Sequence, residues 1–408
     1  MSRAPLAAMR RSLGADPGAV RQALVALGLN ACTSFVAGAF LGSITGTFER
    51  RPGLLVLVPA AIGLRGNIFS AVGNRLSTAI HTGTFRMSTR RDTVLAQNVT
   101  ASVVLTLGIS LVLAFLAKGI AVALGVEHSI PLSDMAVVSI IGGVLGSVPV
   151  LAATVGMAGG AVRFGWDLDN VSAPIVSTLG DVLTLPALWI ATGLLGIAIL
   201  TPSLAVLLGV GAIGALVVSW RSRLPDLARV VRESLPVLAG AAAVSAMAGI
   251  TIEKRFGSFV RYPALLVLLP AFLSSAGALG GILSSRLGSK LHLGLVVPEA
   301  VPEGEARRDI AFVAALAVPV FVFDAVGAHF FARLVGQASP GLGPMLVVTL
   351  LGGALALLWV LAVAYYGTVA AFRFGVDPDT YGIPVVTSTV DFAGAFALVL
   401  AIASLSIG

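Results

Sequence analysis

Arg163-Phe164-Gly165-Trp166-Asp167-Leu168-Asp169, followed by Pro174, Val176 and Asp181, returns 210 residues later as Arg373-Phe374-Gly375-Val376-Asp377-Pro378-Asp379, followed by Pro384, Val386 and Asp391. Each copy passes from an acidic lead into an apolar run, with its last aspartate inside that run. A second set keeps nearly the same spacing: Pro59, Gly66, Arg75, Leu76, His81 and Gly83 recur 211 positions later as Pro270, Gly277, Arg286, Leu287, His292 and Gly294. The chain reads as a tandem duplication. A third echo, Thr47-Phe48-Glu49-Arg50-Arg51 against Thr251-Ile252-Glu253-Lys254-Arg255, has a shorter offset and predicts loops of different length after the first span of each repeat.

Around these motifs the composition is 57% apolar and 11% charged, with a mean hydropathy of +1.00. A water-soluble fold is excluded. Apolar runs fall at about residues 22–47, 53–82, 94–125, 134–162, 172–200, 203–220, 233–252, 263–289, 310–336, 343–372 and 382–407, most of them longer than the ~20 residues that cross a bilayer core. The expected fold is an all-α polytopic membrane protein of about eleven transmembrane helices. Its net charge of +7 comes from basic residues scattered between spans, which read as topology signals and give no nucleic-acid surface. With the N-terminus inside, eighteen Lys and Arg lie at inner ends and seven at outer ends. The positive-inside rule then puts the N-terminus in the cytoplasm and the C-terminus outside, in the cell (plasma) membrane. The run after Arg21 is too long for a cleavable signal, so residues 1–21 read as a cytoplasmic segment, compatible with a surface helix. The single cysteine, Cys32, allows no internal disulfide or cysteine metal site and reads as a small buried residue.

The expected organisation is a first five-helix repeat at 22–200, a linking transmembrane helix and cytoplasmic loop at 201–232, and a second five-helix repeat at 233–408. Five spans per unit would invert the second copy, and the extra span at 203–220 restores its side of entry. The two five-helix repeats are therefore expected to be parallel, related by a pseudo-two-fold axis along the membrane normal where a pathway would run. An inverted arrangement would require the 203–220 stretch not to cross.

Asp181 and Asp391 each lie nine residues into their spans, about 13 Å from the helix start at 1.5 Å per residue. A carboxylate there costs about 2.5 kcal/mol or more to bury, which marks it as a functional candidate against the alternative of a structural ion pair or cap. Two such acids match the charge of one divalent cation, and a hard ion such as Mg²⁺ takes oxygen ligands while keeping waters. Ser177 and Thr387 stand one turn earlier on the same faces. The clusters Asp167/Asp169 and Asp377/Asp379 read as cation-concentrating groups or as helix caps. Pro174 and Pro384 read as first-turn prolines. Leu64-Arg65-Gly66-Asn67 interrupts the second span and predicts a kinked or broken segment lining the pathway, with Asn67 offering an oxygen. Its counterpart, Ala276-Gly277-Ala278, lacks both polar groups. Asp324, without an acidic counterpart in the first half, reads as a proton or Na⁺ site or as a buried hydrogen-bonded acid. Glu49 and Glu253 read as acids at the outer mouth or as members of surface ion pairs.

The Pro, Gly and Asn of the second span, then Gly-x-Asp-x-Asp, Pro and an embedded Asp in the fifth, resemble the membrane domain of the MgtE family. The doubled arrangement with a linking span resembles solute carrier family 41, over residues 22 to 407. That resemblance implies Mg²⁺ transport without cofactor or enzymatic activity. It also implies Asp181 and Asp391 as ion-binding acids at the pore axis, backbone carbonyls from Ser177 and Thr387, and Asp167 and Asp377 at the cytosolic mouth. The family's cytosolic regulatory modules have no counterpart in the 21 residues before the first span. Mn²⁺ and Co²⁺ remain alternative cations, Na⁺ or H⁺ candidate coupling ions, and a monomer with an internal pseudo-dimer or a homodimer the candidate assemblies. The competing functional readings are a cation-coupled transporter of an organic solute and a Mg-dependent enzyme acting on a lipid diphosphate.

Overall fold

A peptide group in hydrocarbon has no water to bond, so a spanning chain satisfies its backbone within helices or closed sheets. In the computed structural model, which describes residues 17–164, 168–375, 383–405 and 407, the described residues form helices and no strands. They are α1 (Pro17–Ser43), α2 (Thr45–Glu49), a 3-10 turn (Leu54–Val56), α3 (Leu57–His81), α4 (Val94–Ala123), α5 (Leu132–Phe164), α6 (Leu168–Thr192), α7 (Leu200–Trp220), α8 (Pro225–Glu253), α9 (Phe256–Arg261), α10 (Ala264–His292), α11 (Gly304–Leu334), α12 (Leu342–Phe374) and α13 (Ile383–Ser404). Eleven of these are long and apolar enough to cross a membrane; α2 and α9 are short connectors.

Helix ends differ from the apolar runs for local reasons. Pro225 opens α8 eight residues ahead of the apolar run because Arg229 and Glu233 pair at 3.1 Å along its polar first turns, an i,i+4 contact that supports a solvated helix end. Residues 193–199 are apolar but not helical. Gly196 takes φ +79° and Thr201 Oγ1 donates to Leu194 O at 2.8 Å. Apolarity sets depth in the bilayer, while glycine and hydroxyl chemistry decide where the helix stops. Helix α6 begins six residues before Pro174, so first-turn placement holds for Pro384 alone.

The repeated Gly83 and Gly294 end α3 and α10 with φ +71° and +69°. The next amides close the same wide turn, Thr84 N to Ala79 O and Leu295 N to Lys290 O, both at 2.9 Å. A left-handed glycine stop explains this recurrence.

Two compact units form, and they cut across the sequence repeats: one gathers α2 to α8 with the first turn of α13, the other α1, α9 to α12 and the rest of α13. Each repeat thus lends its first helix to the unit built mainly from the other. In one unit Gly38 of α1 lies on the backbone of Val267, where a Cβ would stand 2.5 Å from the carbonyl oxygen; in the other Gly249 of α8 lies on Val56 with the same 2.5 Å approach. Both residues of the pair shift by 211, the repeat offset. Phe48 and Phe259, also 211 apart, are buried in the short helices α2 and α9. The register therefore runs unbroken from Gly38 to Gly83, and the shorter-offset echo of Thr47–Arg51 does not mark equivalent structure or a loop of different length.

Around α1, Asn30 Nδ2 donates to Ser274 Oγ at 2.7 Å, Gln337 Nε2 donates to Ala39 O at 2.8 Å, and Phe35 packs between Phe323 and Phe331. Cys32, expected to be buried, is exposed beside Leu29, 65% of whose surface is open; for such a helix the bilayer itself is the apolar phase.

The linking helix α7 buries few of its residues, among them Thr201, Ala212 and Ser219. Leu216 rests on Gly108, where a Cβ would meet it at 2.7 Å, and Ala212 packs with Leu111 and Ile140. Its 21 residues are enough to cross the core, which the parallel arrangement requires. Val206, Leu207, Val210 and Val218 project outward, as lipid-facing residues do.

Candidate functional site

Asp181 lies thirteen residues beyond the start of α6 and is only 7% exposed. Helix α6 passes α3 at Gly180, where a Cβ would stand 3.9 Å from Arg65 Cβ and 4.0 Å from the Gly66 amide nitrogen. The crossing brings Asp181's neighbour against the Arg65-Gly66-Asn67 step of α3. Continuous helix runs through that step, so the expected break is absent. Arg65 instead satisfies part of its donor set on carbonyls, Ala61 O at 3.1 Å and Gly142 O at 2.6 Å.

One residue further on α3, Asn67 Oδ1 lies 3.3 Å from Thr387 Oγ1 at the start of α13. Thr387 Oγ1 is also 3.3 Å from Pro384 O, and Ser388 Oγ donates to that carbonyl at 2.7 Å. Two expected site residues separated by 320 positions are thereby joined, each offering an oxygen. Ser177 is half-buried one turn before Asp181, and Asp391 is half-buried eight residues beyond the start of α13. Asp169 belongs to the first turn of α6. Asp167, Asp377 and Asp379 lie outside the described residues. Among the described residues no three His, Cys, Asp or Glu side chains gather into a metal cluster.

Arg75 was read only as a repeated topology signal. It lines the same small cavity as Asn67, Ser102, Ser234 and Pro384, and its Nη2 donates to Ser234 Oγ at 3.3 Å. Its recurrence as Arg286 was the available signal. Arg286 takes a different partner, Asp309, at 2.8 Å; Lys290 joins the same carboxylate at 2.7 Å and Glu305 at 3.0 Å.

Glu253 does not stand free at a mouth. Its Oε1 accepts from Gly53 N at 2.8 Å, closing the end of α8 onto the left-handed turn before α3, whereas Glu49 is exposed. Asp324 is fully buried in α11 with Ser275 as its polar neighbour, and His329 turns instead to Ser339 Oγ at 2.8 Å.

Against known proteins, a family model described as MgtE, divalent cation transporter, matches residues 58–191 and 269–401. These segments cover the last four spans of each repeat and leave out the exchanged helices α1 and α8. Among curated proteins, the chain is similar to solute carrier family 41 member 2 of Xenopus laevis, 26% identical over 392 residues covering 86% of this chain and 65% of that protein. The same member from Homo sapiens is 26% identical over 384 residues, 86% of this chain and 64% of that protein. Member 3 of Mus musculus is 25% identical over 420 residues, 96% and 84% of the two chains. The chain spans slightly under two thirds of the length of the member 2 relatives. No solved structure matches it.

Proposed function

The chain belongs to the MgtE family of divalent cation transporters, and from that premise we propose that it carries a divalent cation, Mg²⁺ foremost, across the membrane on Asp181 and Asp391. The observation that carries this reading is the repeated intramembrane aspartate: the same acid, at the same offset from the same motif, in two helices long enough to span. A dication entering hydrocarbon needs compensating charge, and two carboxylates supply it.

Mg²⁺ dehydrates reluctantly, so the cargo travels with most of its waters. Carboxylates and neutral oxygens accept hydrogen bonds from that water shell, and Asn67, Thr387 and Ser177 serve as the neutral acceptors. The acids Asp167, Asp169, Asp377 and Asp379 gather the ion at the cytoplasmic ends. The distribution of Lys and Arg supports a cytoplasmic N-terminus and an outer C-terminus in the plasma membrane. Coupling to H⁺ or Na⁺ falls to Asp324, a buried acid that the first half lacks. Mn²⁺ and Co²⁺ would compete at an oxygen site of this kind.

The test is Mg²⁺ flux into liposomes holding the purified chain, native against an Asp181→Asn, Asp391→Asn double variant at matched protein level. Flux should vanish in the variant. Undiminished flux would sink the assignment of both acids, and a native chain without flux under any Na⁺ or H⁺ gradient would sink Mg²⁺ transport itself.

A further inference from the structure

Arg65 stands at the ninth position of α3 and is 3% exposed. An arginine cannot shed its proton, so a buried one keeps a full positive charge that its surroundings must answer. Its two hydrogen bonds go to the carbonyls of Ala61 and Gly142, which carry only partial charges. Among the described residues no carboxylate pairs with it, and its Nε–H is buried without an acceptor. A buried charge without its counterion is expensive.

The surroundings add further unfilled donors. Thr106 Oγ1 of α4 and Ser147 Oγ of α5 are also buried and without partners. Both hydroxyls and Arg65 line one cavity of about 20 Å³, together with Ser110, Ser139 and Gly143. On its α5 side the guanidinium fits because residue 146 is glycine: a Cβ there would lie 2.7 Å from Arg65 Nε and 2.8 Å from Cζ. Three unfilled donors, one of them on the uncompensated Arg65 cation, thus belong to residues lining one cavity. All of them come from α3, α4 and α5 of one compact unit.

We propose that this cavity is a binding site for a single monatomic anion of halide size. An anion accepts from Nε–H and both hydroxyls at once and cancels the charge; a water molecule brings no charge and accepts two hydrogen bonds. The cavity has room for a particle at least the size of one water, which a halide suits. In the second repeat the matching position is Ala276, so this anion belongs to the first half alone. The site uses none of the residues assigned to the cation and stands whether or not the chain transports Mg²⁺.

Bromide serves as the probe. The purified chain in gluconate buffer is titrated with bromide at constant ionic strength, and thermal unfolding is followed. The native Tm should rise with the logarithm of bromide concentration above the dissociation constant, by about 1–2 °C at ~10 times that constant. Arg65→Ala, which installs the residue of the second repeat, should abolish the rise. Thr106→Val keeps the arginine and should weaken apparent bromide affinity about tenfold, a measure that survives if the alanine variant does not fold. In crystals grown with bromide, an anomalous peak should stand within hydrogen-bond distance of Arg65 Nε. A native Tm indifferent to bromide with no such peak, or a rise undiminished in Arg65→Ala, would overturn the proposal.

Discussion

The two halves agree in backbone and disagree in buried charge. Gly38 and Gly249 make the same close crossing, Gly83 and Gly294 the same left-handed stop, and Asp181 and Asp391 repeat within their helices. Yet position 65 is a buried arginine where its partner is Ala276, and Asp324 is a buried acid where the first half offers only Leu113 or Ala114. Likewise Asp309, holding two cations, stands 211 positions after the uncharged Asn98, whose Nδ2 donates to Val94 O at 2.9 Å. After a duplication, a position that serves both copies stays constrained by geometry in each, whereas a charge needed only once is free to remain in one. On the proposed function the shared aspartates would serve the common task, and Arg65, Asp324 and Asp309 tasks of one half.

The widest expected effect breaks this comparison directly. If the acids share one cation, Asp181→Asn and Asp391→Asn should each reduce Mg²⁺ flux by at least about tenfold, the ratio that 1.4 kcal/mol of lost binding represents. A variant in one half that leaves flux intact while the other abolishes it would show that the repeat no longer acts as a pair.

Next comes the asymmetric ion pair. Asp309 is 1% exposed and meets Arg286 and Lys290. Asp309→Ala should destabilise by about 2–3 kcal/mol, less than for a fully buried pair because Arg286 and Lys290 reach solvent. Asn98→Ala, which removes only a neutral contact, should cost about 1 kcal/mol. Thermal unfolding of the two variants side by side checks the ratio, and equal losses would mean that the carboxylate carries no special weight.

A smaller but symmetric effect is expected at the helix crossings. Gly38→Ala and Gly249→Ala each push a methyl group into a backbone carbonyl that no rotamer change can move away, so each should lose about 1–3 kcal/mol. Comparable losses in unfolding midpoint would support the exchange of first helices in both units; a loss at one glycine alone would confine the exchange to that unit.

These glycines also show what the sequence reveals and what it hides. The spans were legible because their apolar runs are long, and the duplication was legible because Pro59, Gly66 and Arg75 return with their spacing intact. The exchange of α1 and α8 was not, since an apolar helix face fits either set of neighbours equally well in hydropathy. At the candidate site, Asn67 and Thr387 were both marked by their polarity inside apolar runs, but their meeting depends on tertiary contact across 320 positions. Arg65 was legible as an anomaly and misread as a helix break, because its acceptors at Ala61 and Gly142 are backbone carbonyls with no signature in residue type.

The least effect, and the cleanest test of register, lies in the two glutamates that look equivalent in sequence. The echo of Thr47–Arg51 with Thr251–Arg255 pairs Glu49 with Glu253, but the 211-residue register pairs Glu253 with Gly42. Glu253 accepts from the Gly53 amide at 2.8 Å, while Glu49 is exposed at the end of α2. Replacing a charged acceptor by a neutral one lowers the value of a hydrogen bond by about 1 kcal/mol, so Glu253→Gln should shift thermal unfolding slightly downward. Glu49→Gln should leave it unchanged, as substitutions on an open surface do. Equal shifts for the two would restore the shorter register and with it a difference in loop length between the halves; unequal shifts in this order are what the continuous 211-residue spacing requires.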